Sequence, residues 1–136
     1  MKSKLFSFIA IVLIAVVPTL AQVGGNDWTK TDGAKHGPQT LTAADGTKSD
    51  HYYEIFYSPS SLTHIGDVVT SVIDTVYTDS TPTKFYTIQI NCKTMQYTFA
   101  QFDVSTTPAT PGETSAWKPI QSGSAGSSVA PIFCKQ

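Results

Sequence analysis

Arginine is absent from this chain, and all nine basic residues are lysine. A chain without arginine lacks the bidentate forks that grip phosphate and guanine. Setting Lys2 and Lys4 aside as part of an amino-terminal leader leaves seven lysines against ten acidic residues, a net of −3. That balance argues against nucleic acid as a partner. No lysine cluster offers a footing on anionic lipid either. Cysteine is scarce. Cys92 and Cys134 are the only two, and they lack the paired spacing that zinc requires. His36, His51 and His64 match no ligand pattern, so each is expected as a solvated surface residue. No G-x-S-x-G, H-E-x-x-H or phosphate loop occurs, and threonine follows no regular repeat. The expectation is therefore no enzyme, no cofactor and no metal.

What is present begins with a leader. Lys2 and Lys4 precede an uncharged apolar run from Leu5 to Val17. Pro18 breaks that run, and Thr19-Leu20-Ala21 fits the small-x-small rule. Residues 1–21 read as a signal peptide, cut between Ala21 and Gln22. The run is short for a membrane span, which needs about 20 apolar residues. No cysteine follows Ala21, so the leader is not of the lipoprotein kind. The exported chain, residues 22–136, is expected in the periplasm or outside the cell, without membrane insertion.

A chain of this size buries only about two-thirds of its unfolded surface, so its stability margin is thin. An oxidising compartment can add a disulfide. Cys92 and Cys134 read as a structural bond, with a pair of buried free thiols as the alternative. The loop between them has about 43 residues, worth roughly 4 kcal/mol in the chain-entropy model.

Residues 22–50 are rich in Gly, Thr, Asp and Lys and read as an irregular arm. One short strand at Thr40–Thr42 and an anchor at Trp28 are the features expected there. The body, residues 51–136, opens on the aromatic strand HYYEIFYS, with Tyr53, Ile55 and Tyr57 inward. PSSLTHIGD is a turn-rich link. DVVTSVIDTVYTD follows as a strand rich in β-branched residues, with Val69, Ile73 and Tyr77 inward.

KFYTIQINC and TMQYTFAQFDV then form a hairpin. A tight Lys93-Thr94 turn would set Cys92 opposite Met95, Ile90 opposite Tyr97 and Ile88 opposite Phe99. The other face pairs Asn91 with Gln96, Gln89 with Thr98 and Thr87 with Ala100. One face is apolar and the other mostly polar, and a slip of one residue would destroy that sorting.

In the tail, Val129, Ile132 and Phe133 recur at i, i+3, i+4, one side of a helix. Ser124, Ser127 and Ser128 are candidate caps, and a cap at Ser128 would place Pro131 in the first turn, where proline fits. This short helix should cover the apolar face and be stapled to it by Cys134. The fold class is α+β: mainly antiparallel sheet, with a short carboxy-terminal helix tethered by a disulfide.

Four stretches together resemble the surface-adhesin E family of small exported bacterial proteins. They are SPSSL after the aromatic strand, QINCKTMQY, WKPIQSGSAG and VAPIFCK. The resemblance spans residues 51–135. It implies an antiparallel sheet, a terminal helix held by Cys92 and Cys134, and a Gram-negative source. It also implies an adhesin-like, protein-binding role in the envelope or the medium, with a host extracellular protein among the candidate partners. The alternatives are a periplasmic structural protein, or a small enzyme or enzyme inhibitor.

Overall fold

The hairpin holds the centre of the molecule, and its register follows from the alternation of its side chains. Strand β6 (Lys84–Asn91) pairs antiparallel with β7 (Gln96–Asp103), with Ile90 opposite Tyr97 and Ile88 opposite Phe99. The connection differs from the expected two-residue turn. Asn91 and Gln96 are the last pair, and residues 92–95 form the loop. The Asn91 side chain accepts the N–H groups of Lys93 and Thr94 at 3.0 and 3.1 Å. Met95 takes a positive φ of 53° to return the chain. Lys-Thr cannot readily supply the positive φ values of a two-residue turn, so the chain uses a longer loop with a side-chain clamp.

The computed structural model describes residues 26–32, 35–106 and 108–135. The Ala21–Gln22 cleavage position lies outside the described residues. In chain order the remaining strands are β1 (Thr29–Lys30), β2 (His36–Thr42), β3 (Lys48–Tyr57), β4 (Thr63–Ile65), β5 (Val68–Tyr77), β8 (Thr110–Pro111) and β9 (Lys118–Pro119). The sheet runs β1-β3-β5-β6-β7-β8, all neighbours antiparallel. β2 also joins β3, β4 joins β5, and β9 joins β7.

The arm expected to be irregular is strand. β1, β2 and the start of β3 occupy much of residues 29–50, and His51 falls inside β3. β2 is mostly exposed, and its half-buried face beyond the bend holds only Gln39 and Leu41, so its sequence carries too little apolar alternation to betray it. A register shift between His36 and Gln39 bends this strand. Gly37 sits there with φ +113°, and a Cβ on it would lie 2.9 Å from the His51 carbonyl. Trp28 does anchor the arm. Its ring meets Phe85 at 5.7 Å, on the sheet face opposite Ile88. The turn-rich link also differs. It contains a 3-10 turn at Pro59–Ser61 and the β4–β5 hairpin, closed by Gly66 at φ +61°.

Helix α1 (Ala125–Phe133) starts earlier than expected. Ser124 is its N-cap, and its Oγ accepts the Ser127 N–H at 3.2 Å. Ser128 is buried instead, its Oγ 2.5 Å from Thr31 Oγ1. Pro131 lies inside the helix, where it has no N–H for the Ser127 carbonyl. The loss is tolerated because tertiary packing, rather than propensity, holds so short a helix. Val129, Ala130 and Phe133 are buried against Ile55, Val69, Ile73, Ile88 and Ile90. Gly126 lets the helix lie close: a Cβ there would sit 3.0 Å from the Tyr97 ring. Cys92 and Cys134 are bonded, 42 residues apart in sequence.

Candidate functional site: an aromatic cleft beside the helix

The nine residues of α1 are too few to cover the whole apolar face. The uncovered part is a cleft of about 270 Å³. Tyr53 on β3, Ile73 and Thr75 on β5, and Tyr86 and Ile88 on β6 form its floor. Tyr97 and Phe99 on β7 wall one side, with Lys118 of β9 above them. Pro38 and Gln39 of the bent β2 close another side, and Ser124 and Ala125 at the start of α1 a third. Alternation along each strand brings these residues to one face.

The rings support one another. Tyr86 meets Phe99 edge-on at 5.8 Å, and Tyr97 stacks beside Phe99 at 6.2 Å. Tyr53 meets Tyr77 edge-on at 6.0 Å. The Tyr77 hydroxyl donates to Gln39 Oε1 at 2.7 Å. Burial raises the phenols of Tyr53, Tyr86 and Tyr97 above their ordinary value. Burial, followed by Tyr86, Tyr53 and Asp79, pushes Tyr77 up to about 12. At neutral pH the cleft therefore presents neutral phenols. Its one formal charge is the Lys118 ammonium, 4.6 Å from the Phe99 centroid and 5.5 Å from that of Tyr97.

A second constellation lies near the cleft. Ser49 Oγ is 2.7 Å from His51 Nε2, and His51 Nδ1 is 2.6 Å from Asp79 Oδ2. Ser49 and His51 are two apart on β3, so they share a face. Both links of a Ser–His–Asp relay are thus in place. Acyl transfer also calls for donors converging on an oxyanion. Ser49 sits in register with Leu41 inside a paired strand, where successive N–H groups point to opposite edges. Converging donors do not arise from that geometry. What the network does do is tie the loop after β5 to β3. Thr81 joins it, donating its N–H to Asp79 Oδ1 at 2.8 Å.

Asp79 is held at about 2, first by the Thr81 hydroxyl and N–H, then by His51. A carboxyl depressed in the folded state stabilises it above the unfolded value near 3.8. That contribution is lost as pH falls through about 2. Wild type should therefore melt above Asp79→Asn at pH 6, with the gap closing towards pH 2. Thermal melts across that range check it, and a gap independent of pH would remove the network's stabilising role.

The histidines are not the solvated set expected from sequence. His36 is buried, stacked on Tyr53 and 3.4 Å from Asp32. His51 is mostly buried within its network, and His64 alone is exposed. His36 hides because the bend in β2 turns it inward; no local pattern announces that. Among the described residues no cluster of His, Cys, Asp or Glu is arranged to hold a metal ion.

The sequence pattern places Tyr53 inward but does not announce that it borders a cleft. The available signal was chemical: this face carries tyrosines where a sealed core would carry aliphatics. A ring with a hydroxyl suits a surface that is half wet. Comparison of the chain with protein-family models, with curated proteins and with solved structures finds no match.

Proposed function

We propose that this chain is an exported, adhesin-like protein-binding module of the surface-adhesin E kind, and that the aromatic cleft is its contact element. On this reading it is periplasmic or secreted, carries no lipid anchor, and works without catalysis. The observation that carries the reading is the cleft: a part-buried tyrosine cluster beside one lysine, left open beside the start of the helix. Tyrosine is enriched among the residues that dominate binding energy at protein interfaces. Two further facts agree with export. The disulfide is of a kind that persists in oxidising compartments. Among the described residues no helix is long and apolar enough to cross a membrane.

The test is proximity labelling and pull-down from the native cell and from host extracellular matrix. Wild type is compared with Tyr53→Ser/Tyr86→Ser, after circular dichroism establishes that the variant is folded. A partner enriched by wild type and lost by the folded variant is expected. Equal enrichment by both would remove the cleft from the binding role. Export has its own check. Mass spectrometry should find the mature amino terminus at Gln22, and Met1 on envelope-purified protein would overturn it.

A further inference from the structure

We propose that the cleft takes one aromatic side chain from an extended segment of the partner, with an acidic residue beside it pairing with Lys118. This inference rests on the cleft being the binding element. Its size is the first argument. About 270 Å³ falls just below the range of small-molecule sites, roughly 300–1,000 Å³, and suits a single large side chain. The walls are the second. Tyr53, Tyr86, Tyr97 and Phe99 present ring edges and faces, which pair favourably with another ring.

The third argument is charge. None of the lining residues is Asp or Glu. The ion pairs among the described residues join Lys30 with Glu54, Asp32 with His36, and Asp79 with His51, so Lys118 takes part in none. Its ammonium rests on two rings, which orient it over the cleft without neutralising it. An incoming carboxylate would meet a positive charge already in position. The wall's hydroxyls, on Tyr53, Thr75, Tyr86, Tyr97 and Ser124, would also meet a sugar, but a neutral pyranose brings no charge to pair with Lys118.

The experiment uses fluorescein-labelled Gly-Asp-Trp-Asp-Gly with the full exported chain, read by fluorescence polarisation. Saturable binding is expected. Replacing Trp by Ala in the peptide should weaken it about thirtyfold, as loss of an anchor does. Replacing both Asp by Asn should weaken it about fivefold. Lys118→Glu should reverse the preference, binding the Gly-Lys-Trp-Lys-Gly peptide more tightly than the acidic one. If the acidic and basic peptides bind wild type equally, the charge argument is wrong and the proposal is overturned. If glucuronate binds in a Lys118-dependent way while the peptides do not, an acidic sugar is the ligand and the proposal is overturned. If no peptide binds at about 1 mM, yet Tyr53→Ser/Tyr86→Ser still loses the partner in pull-down, the peptide chemistry fails and the cleft reading stands. If that variant also keeps the partner, the cleft reading itself has failed.

Discussion

Phe133→Ala is expected to cost about 3–5 kcal/mol, the largest single-residue loss in this molecule. Phe133 is fully buried, and its ring meets Tyr57 edge-on at 5.8 Å. It lies in the last turn of α1, against Ile55, Ile73, Ile88 and Ile90. Removing the ring leaves a cavity that the sheet cannot close, because paired strands do not shift singly. Small domains have only about 5–15 kcal/mol of stability in total. Tm should fall on the order of 10–20 °C. Urea unfolding of wild type, Phe133→Leu and Phe133→Ala measures it. A cost below about 1 kcal/mol for alanine would show that the helix does not form this core.

Cys134→Ser is the second large effect. The bond closes a loop with a sequence separation of 42, worth up to roughly 4 kcal/mol in the entropy model. The nine-residue helix is marginal alone. Without the bond its last turn should fray, opening the face around Ile90 and Tyr97. Such a patch favours aggregation. Denaturant melts at low protein concentration give the energy, and dye binding reports the exposed face. Thiol titration of the oxidised protein comes first: two reactive thiols per chain would remove the staple and this prediction with it.

The parts of the fold that were legible in the sequence were those sorted by burial. The β6–β7 register could be read because Ile88 and Ile90 alternate with Gln89 and Asn91, so a single slip would move every apolar group to the wrong side. Val69, Ile73 and Tyr77 were legible by a different signal: β5 carries apolar groups on both faces, and Asp74 marks the outer one. β2 was not, since the half-buried face of this edge strand holds only Gln39 and Leu41 beyond its bend, too little to set an apolar period. The helix start was misplaced because three serines compete as caps, and burial of Ser128 against Thr31 comes from a residue 97 positions away. Thr98 and Ala100 were assigned to a polar face yet are buried. Ser115 explains Thr98: its carbonyl accepts from the Thr98 hydroxyl, and its own hydroxyl lies 3.0 Å from it. Of the candidate site, Tyr53 was visible as an inward residue and Tyr97 as part of the apolar hairpin face, while Tyr86 was not singled out. The cleft was not visible, because it depends on where a separate element, the helix, begins.

The placement of the core lid in chain order has a consequence for biogenesis. Val129, Ala130, Phe133 and Cys134 are supplied by the last stretch of the described chain, while the strands they cover lie between residues 48 and 103. Synthesis runs from the amino end, so every nascent intermediate lacks its lid. A chain that cannot seal its core while still being made stays unfolded along its length until synthesis ends. On the export proposed above, closure would wait for the oxidising side, where thiol chemistry and helix docking finish together. Truncated products would keep Ile88 and Ile90 bare, a surface that chaperones and proteases recognise.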